Sequence, residues 1–345
     1  DLDADLRDKI SGAELTRAEM QLSGQQARAD AVALHDAVAG LGTDEDAIMT
    51  LLRGRSQAEI ETIRAEYQAR YGESLEDALR GDLGEGNEQD QANALLRGDT
   101  ATADAIALDE AMRDSFFSWG TDEEQIEQTY NRVHSEVQAL AEQEGWNSEQ
   151  MEAEIRRRSQ AIEAQFNQRY ADVEQYQVPG MEGESVLRQA FASEMDPGPE
   201  RDLANALADN DLAAADAARI EIERRSVYAD DDTINGVLRA QYERSLQATR
   251  LDQGPARRRA IQRQLDQYLD NHPDADEEEL SRERFRLEHQ MERDLADEAQ
   301  SRSRISMEAL QHAYDDSYGR PLSFTLAMNM SGADLDQARD LLAQG

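Results

Sequence analysis

One arrangement of apolar and polar positions occurs three times along the chain. Each copy begins with alanine, aspartate and alanine and continues mainly with apolar residues. The copies read ADAVALHDAV from Ala29, ADAIALDEAM from Ala103 and ADAARIEIER from Ala215. We interpret them as three versions of one helix, and their recurrence predicts an architecture of internal repeats.

Two further patterns recur in the same order after each of these helices. An arginine-rich segment comes first, and it reads RGRSQ from Arg53, RRRSQ from Arg156 and RSRIS from Arg302. Because the arginines recur with the architecture, we expect them to bond helix-end carbonyls or to bridge acids between helices. A polar residue, an apolar residue and a turn then end each unit, at Asp82, Glu194 and Asn329, and Lys9 has the same place near the start of the chain.

These patterns divide the chain into four predicted segments. Residues 1–28 are the C-terminal part of a preceding repeat, 29–99 a compact repeat, 100–210 an expanded repeat and 211–345 an expanded and degenerate one. Because the chain opens in the middle of the pattern, we expect it to be a fragment of a larger protein with other domains.

Glycine turns cut the compact repeat into five short segments of helical composition. The predicted helices cover residues 29–39, 44–53, 56–71, 75–83 and 87–97. The expanded repeats keep this plan, and the additions between Thr121 and Arg156 and between Ile234 and Arg302 are predicted to be long amphipathic hairpins. Alanine, leucine, glutamate, glutamine and arginine dominate throughout, so the sequence predicts an all-α fold.

Charge and composition exclude several classes of function. The chain has 36 basic and 74 acidic residues, a net charge of −38, so nucleic acid is a poor partner. The acid excess, with Lys9 the only lysine, also fits a protein kept soluble at high salt. No apolar run is long enough to span a membrane. There are no cysteines, and the scattered histidines, with no phosphate loop or nucleophile elbow, give no basis for an enzyme.

The compact repeat resembles the annexin repeat. The resemblance rests on five helices in about 70 residues with GLGTDEDAI, then RS at the third helix, YGESLEDAL and an acid. Gly42 precedes Arg55 by 13 residues and Asp82 by 40 residues, which is the family spacing. The resemblance implies repeats folded as right-handed superhelices and calcium sites that join the protein to anionic phospholipid. It covers residues 29–98 well, the ends of the expanded repeats moderately and the insertions not at all.

The turn in GLGTDEDAI has the chemistry that the resemblance implies. Carbonyls at the end of the first helix lack amide partners, and the helix dipole makes that end negative. Gly40 and Gly42 remove side chains, so the carbonyls of Val38, Gly40 and Gly42 can converge on a calcium ion. The resemblance implies that Asp82 supplies the carboxylate and that Glu45, with the Thr43 carbonyl, supports a weaker neighbouring site. We expect Thr43 to cap the next helix with Asp46 as its capping-box acid. The alternative is that the glycines only end one helix and Thr43 starts another.

The second repeat has an altered version of the same site. FFSWGTDEEQI places Phe116, Ser118 and Gly120 at the carbonyl positions, keeps a Thr121–Glu124 capping box, and has Glu194 as the acid. Trp119 stands at the loop tip, as Leu41 does in the compact repeat. An indole there either enters the headgroup region or packs against Phe116 and Phe117. The two interpretations remain open.

The third repeat is expected to have no calcium site. Ser226 and Tyr228 replace the glycines, and Asn329 replaces the acid. The acids Asp230, Asp231 and Asp232 are better explained as charge at a helix N-terminus. The sequence thus predicts a peripheral membrane-binding protein, cytoplasmic or secreted, that uses calcium. The alternative is a calcium-independent scaffold whose sites have decayed.

Overall fold

The computed structural model describes residues 25–39, 42–113, 121–226 and 230–344. Within these residues the chain forms α-helices joined by short turns, and it has no strand. The prediction of an all-α fold is therefore confirmed. The helices are α1 (Gln26–Val38), α2 (Glu45–Arg53), α3 (Gln57–Tyr71), α4 (Leu75–Leu83), α5 (Asn87–Leu96), α6 (Thr100–Met112), α7 (Glu123–Glu144), α8 (Ser148–Tyr170), α9 (Val186–Glu194), α10 (Pro199–Asp209), α11 (Leu212–Arg225), α12 (Asp231–Asn271), α13 (Glu277–Tyr318), α14 (Leu322–Asn329) and α15 (Gly332–Gln344).

The five predicted helices of the compact repeat correspond to α1 to α5, with ends that differ by three residues at most. Two of the turn glycines have backbone angles that other residues rarely adopt: φ is +81° at Gly72, after α3, and +69° at Gly84, after α4. The helix α3 begins with a capping box of Ser56 and Glu59. Local turn chemistry therefore sets these boundaries.

The predicted insertions are helical pairs. The helices α7 and α8 are joined by a turn at Gly145, where φ is +70°. The helices α12 and α13 have 41 and 42 residues and pack against each other over a short turn. We call α12 and α13 the long hairpin.

The chain divides into two compact units. The first contains the described residues up to 113 together with Ala161–Val173, and the second contains 121–160 and 174–344. The core of the first unit is the interior of the compact repeat. It includes Leu34, Ile48, Leu52, Ile60, Ile63, Tyr67, Leu75 and Leu79. A core in the second unit includes Ile220, Ile234, Leu238, Met307, Leu310, Tyr314, Leu322 and Leu326.

The aspartate of each recurring Ala-Asp-Ala is buried and pairs with arginine. Asp30, on α1, is 2% exposed and accepts bonds from Nε and Nη2 of Arg55, at 2.5 and 2.9 Å. Asp104, on α6, pairs with Arg53. Asp216, on α11, accepts bonds from arginine and glutamine side chains: Arg219, Gln241 and Arg244. The expectation that the recurrent arginines bridge acids between helices is confirmed at Arg53 and Arg55.

A pair of aromatic rings four residues apart recurs where the third helix of each repeat ends. The ring centroids are 4.9 Å apart for Tyr67 and Tyr71, 4.7 Å for Phe166 and Tyr170, and 5.0 Å for Tyr314 and Tyr318. The interplanar angles lie between 49° and 58°. Such tilted pairs contribute beyond the burial of their area. The same packing therefore holds the third helix in all three repeats.

The pair of Asp30 and Arg55 gives a stability prediction. Arg55→Gln leaves a carboxylate buried without its counter-charge, and we expect the free energy of unfolding to fall by about 3 kcal/mol. Adding Asp30→Asn removes that charge, so the double variant should recover part of the loss. Urea unfolding followed by circular dichroism measures both changes.

The matched control is Arg80→Gln, because Arg80 forms an ion pair with Asp77 in which both side chains are more than 60% exposed. Exposed pairs contribute little, so this variant should lose less than about 1 kcal/mol. Equal losses in Arg55→Gln and Arg80→Gln would show that the buried pair has no special role.

Candidate metal centre

The loop that follows α1 turns back onto the end of that helix. The Ala39 amide donates to the His35 carbonyl at 2.8 Å, and the Asp44 amide donates to the Ala37 carbonyl at 2.9 Å. These bonds satisfy two of the last carbonyls of α1 and fix both ends of the loop. The Val38 carbonyl receives no backbone hydrogen bond from any described residue. It therefore lies at the negative end of the helix dipole, and no amide of the described residues satisfies it.

Gly42 leaves the backbone of this loop bare. Its φ is +102°, and no atom lies within 4 Å of the position that a Cβ would occupy. A side chain here would be strained, and it would also cover an exposed stretch of backbone. Gly40 and Leu41, which the sequence assigns to the same loop, lie outside the described residues.

Thr43 connects the loop to the predicted acid. Its hydroxyl donates a long hydrogen bond of 3.4 Å to the backbone carbonyl of Asp82, in the last turn of α4. A carbonyl in the last turn of a helix lacks an amide donor from its own helix, so the hydroxyl satisfies it. The Asp82 carboxylate is exposed and has no hydrogen-bond or ion-pair partner among the described residues. The structure thus brings Thr43 and Asp82 together and leaves the carboxylate free.

The predicted capping box of Thr43 and Asp46 is wrong. Asp44 is the N-cap of α2, and its Oδ1 accepts from the Ala47 amide at 3.0 Å. The Asp44 carboxylate lies one residue closer to α2 than Thr43 does, and it accepts from the Ala47 amide in the first turn of that helix. The Thr43 hydroxyl instead donates to the Asp82 carbonyl. Glu45 is exposed at the first position of α2, where its charge favours the helix dipole.

The second repeat makes the same contact between different elements. The Thr121 hydroxyl donates to the backbone carbonyl of Glu194 at 3.0 Å, at the end of α9. Asp122, not Thr121, caps α7 through the Gln125 amide at 2.9 Å, so the predicted capping box of Thr121 and Glu124 is also wrong. The threonine of each Gly-Thr-Asp sequence thus contacts the residue that the sequence analysis selected as the acid.

The carboxylate of Glu194 is held, unlike that of Asp82. Its Oε1 accepts from Gln175 Nε2 at 2.7 Å and from the Ser193 hydroxyl at 2.9 Å. One oxygen is therefore already engaged before any ion approaches. The repeat pattern does not predict a contact from Gln175, because Gln175 lies in a short 3₁₀ turn with no counterpart in the compact repeat. The loop residues assigned to this site, Phe116, Ser118, Trp119 and Gly120, lie outside the described residues.

The third repeat has no free carboxylate at the corresponding position. The Asn329 side-chain amide donates to the Thr325 carbonyl at 2.7 Å, one turn back in its own helix. Asp230 caps α12 and accepts from the Asp232 amide at 3.1 Å and the Thr233 hydroxyl at 2.9 Å. The interpretation of this acid cluster as helix N-terminal charge is confirmed for Asp230. Tyr228 lies outside the described residues.

The oxygen atoms assigned to the first loop are of the kind that hard cations bind. The available donors are the Val38 and Gly42 carbonyls and the Asp82 carboxylate, and calcium takes such oxygens in irregular geometry. In the described part of the chain, no three histidine, aspartate or glutamate side chains form a cluster that could hold a metal. A site with one carboxylate and several carbonyls is compatible with that finding. The assignment of these residues to calcium remains a prediction.

A separate group of acids surrounds Glu110 on α6. Burial raises the pKa of Glu110 to about 7, and the neighbouring carboxylates of Glu88 and Asp109 add to this effect. The Oε1 atom of Glu110 is buried and accepts no hydrogen bond. Asp109 differs, because its carboxylate accepts from Nε of Arg113 at 2.7 Å. Glu110 therefore keeps its proton at pH values where an exposed glutamate is already ionised.

No helix among the described residues is long and apolar enough to cross a membrane.

Comparison with known proteins shows similarity to annexins in the compact repeat. The annexin family model matches residues 29–87. Annexin A13 of the dog, Canis lupus familiaris, is 39% identical over 114 residues, which cover 33% of this chain and 34% of that protein. Annexin A6 of Rattus norvegicus is 45% identical over 82 residues, which cover 24% of this chain and 12% of that protein. The similarity thus spans about a third or less of these relatives.

Solved structures give weaker similarity over the whole chain. Calcium-bound alpha-14 giardin is 15% identical with a TM-score of 0.28, over 99% of this chain and 84% of that one. Chicken annexin V is 18% identical with a TM-score of 0.25, over 92% and 96% of the two chains. Scores of this size do not establish a common arrangement of the whole chain.

The environment of Glu110 gives a pH prediction. Its pKa is about 7 when folded and close to 4.5 when unfolded, so the folded protein binds an extra proton between these values. The free energy of unfolding should therefore fall as pH rises through that window. Glu110→Gln removes the cost of ionising a buried carboxyl. We expect this variant to be more stable than the wild type by about 1–2 kcal/mol near pH 8, with little difference near pH 4.

Thermal unfolding across this pH range measures the difference. Glu144→Gln is the control, because Glu144 is exposed at the end of α7 and should show no pH-dependent gain. A gain in Glu110→Gln that is the same at every pH would contradict the assignment of a protonated Glu110.

Proposed function

We propose that the chain is a non-enzymatic module that binds anionic phospholipid membranes through calcium, and the match of residues 29–87 to the annexin family model supports this proposal. The observation that carries the proposal is the geometry at the first loop. A bare glycine backbone lies beside a helix end, and the Thr43 hydroxyl ties that loop to Asp82, whose carboxylate is free. These residues present oxygens only, which is the donor set for a hard cation.

The charge of the chain explains why calcium would be required. A protein of net charge −38 is repelled by anionic lipid at separations within the Debye length, which is about 8–10 Å at physiological salt. Calcium bound through Val38, Gly42 and Asp82 would leave coordination positions for phosphate oxygens of a headgroup. In this proposal the cation neutralises the protein locally and bridges it to the lipid.

The sites should differ between repeats. Asp82 is free but short, and its carboxylate reaches bidentate geometry less easily than a glutamate does. Glu194 is longer, but Gln175 and Ser193 already occupy one of its oxygens. We therefore propose two weak sites, with dissociation constants on the order of 10⁻⁴ to 10⁻³ M without lipid. Asn329 gives the third repeat none. Leu41 and Trp119 are the proposed lipid contacts at the two loop tips.

A second candidate function is a calcium-independent scaffold within a larger protein. Two observations favour it. The Asn329 side chain is bonded to the Thr325 carbonyl within its own helix, and the chain has long helices that the compact repeat lacks. Under either function the protein is peripheral to any membrane, in the cytoplasm or outside the cell.

Membrane binding is tested with vesicles of equal parts phosphatidylserine and phosphatidylcholine. We expect the chain to sediment with these vesicles in millimolar calcium and to be released by chelator, because only a bridging cation overcomes the repulsion. Vesicles of phosphatidylcholine alone are the lipid control and should not bind. Binding that persists unchanged in chelator would overturn calcium dependence, and no binding in either condition would favour the scaffold.

Neutralising each acid tests the division of calcium between the repeats. Asp82→Asn and Glu194→Gln each remove the proposed charged ligand from one site. Each should therefore abolish about one calcium equivalent in calorimetric titration and leave the calcium-free stability within about 0.5 kcal/mol. Asn329→Asp should add no equivalent.

The matched control is Glu85→Gln. Glu85 is exposed in the turn after α4, and its substitution removes one negative charge close to Asp82 without changing Asp82 itself. It should bind as much calcium as the wild type. If Glu85→Gln and Asp82→Asn lose the same amount, calcium is responding to general charge, and the assignment to Asp82 is wrong.

A further inference from the structure

The outer part of the long hairpin has almost no core of its own. Between residues 256 and 292, only Leu265 and Leu287 are buried. Each arm, 256–271 and 277–292, is 16 residues and therefore about 24 Å long. A helical pair of this length with a single buried leucine contact has little to hold it, because most helical stability comes from packing of an apolar face.

Apolar side chains on this part of the hairpin remain in solvent. Phe285 is 68% exposed and Leu269 is 39% exposed. Phe285 borders a groove between the two helices, which we call the Phe285 groove. Its lining includes Arg258, Ile261, Leu265, Arg284, Phe285 and His289. An exposed phenylalanine beside an open groove is typical of a surface that another helix covers.

The charges of the outer hairpin are separated along its length. Residues 270–279, the acidic tip, contain six acids and no lysine or arginine. Residues 257–263 and 282–286, the arginine belt, contain seven arginines and one acid, Glu283. The formal charges are therefore −6 at the tip and +6 at the belt, in a chain whose net charge is −38.

Many of these charges have no partner within the chain. Arg257, Arg282 and Arg286 form ion pairs. Among the described residues, no carboxylate lies within ion-pair distance of Arg258, Arg263 or Arg284. The tip acids Asp270, Asp274 and Glu277 likewise have no basic partner among the described residues. Acids outnumber basic residues two to one in this protein, so unpaired arginines concentrated in one segment are unexpected.

We propose that the outer hairpin is a dimerisation surface whose partner is a second copy of this chain. Two hairpins that lie side by side and antiparallel, related by a twofold axis, place the acidic tip of each against the arginine belt of the other. The same patch then serves both copies, as an isologous interface requires. Phe285 of one copy packs near Leu269 of the other, and the four helices form an antiparallel bundle.

The size of the surface agrees with a dimer of modest strength. The register that sets each tip against the opposite belt overlaps the arms by about ten residues, or about 15 Å, and a face two helices wide is about 20 Å, which gives roughly 300 Å² on each copy. The total of about 600 Å² is below the usual size of a stable specific interface, so we expect a weak dimer that depends on its charges and forms at high micromolar concentration. An anionic membrane is a poorer occupant of this surface, because it would attract the belt and repel the tip.

A charge exchange in the full chain tests the proposal. The belt variant Arg258→Glu, Arg263→Glu and Arg284→Glu changes the formal charge of the belt from +6 to 0 and leaves the tip at −6. The tip variant Asp270→Arg, Asp274→Arg and Glu277→Arg changes the tip from −6 to 0 and leaves the belt at +6. In either variant the tip of one copy is no longer attracted to the belt of the other. Each variant alone should be a monomer of about 38.7 kDa by sedimentation velocity at about 0.1 M salt, where the Debye length is about 10 Å. An equimolar mixture of the two should form a heterodimer, because the unaltered tip of the belt variant (−6) then meets the unaltered belt of the tip variant (+6).

A second pair of variants tests the apolar contact without changing charge. Phe285→Ser should weaken the wild-type dimer at least tenfold. Ile305→Ser is the matched control, because Ile305 is 70% exposed on the same helix but outside the Phe285 groove, and it should leave association unchanged. Far-ultraviolet circular dichroism shows whether each variant retains its helix content.

Three results would overturn the proposal. The first is a wild-type chain that remains monomeric at high micromolar concentration. The second is a belt or tip variant that dimerises as well as the wild type does. The third is a mixture of folded belt and tip variants that stays monomeric.

Discussion

The structure depends on a carboxylate that is buried at the start of the first helix of each repeat. Asp30, Asp104 and Asp216 are each 4% exposed or less, and a buried carboxylate is tolerated only when it is paired and hydrogen-bonded. In the compact repeat the partner is Arg55, which immediately precedes α3. That ion pair fixes the start of the third helix against the start of the first. Asp104 is paired with Arg53, and Asp216 with Arg219 and Arg244, so the same requirement is met by differently placed arginines in the other two repeats.

The other end of the first helix has the opposite requirement. Its last carbonyls need donors, and the chain supplies amides for only some of them before it turns into α2. The buried ion pair and the ring pair of Tyr67 and Tyr71 hold the helices, and Gly42 exposes its backbone between them. The candidate site is therefore built from what the fold leaves unsatisfied, and Thr43 joins it to Asp82.

The sequence predicted the features that depend on local chemistry. Turn glycines and capping residues set the ends of α1 to α5, and these follow from neighbouring residues alone. It misplaced the caps of α2 and α7 by one residue, because threonine and aspartate are both good caps and only the distant carbonyls of Asp82 and Glu194 decide between them. The contact between Gln175 and Glu194 could not be predicted, since it joins an inserted segment to the repeat.

A single position in the first helix shows how the fold persists where the site has been lost. The position of His35 in the compact repeat is that of Glu221 in the third repeat, and each side chain contacts a tyrosine. His35 Nδ1 lies 3.3 Å from the Tyr67 hydroxyl. The Tyr314 hydroxyl donates to Glu221 at 2.6 Å. Burial alone would raise the pKa of Glu221, but hydrogen bonds from Arg224, Tyr314 and other neighbours hold it well below its usual range. The third repeat therefore anchors its helices through a different set of polar bonds. These bonds lie in the core and Asn329 lies at the end of α14, so the polar bonds that anchor the helices do not depend on the residue at that position.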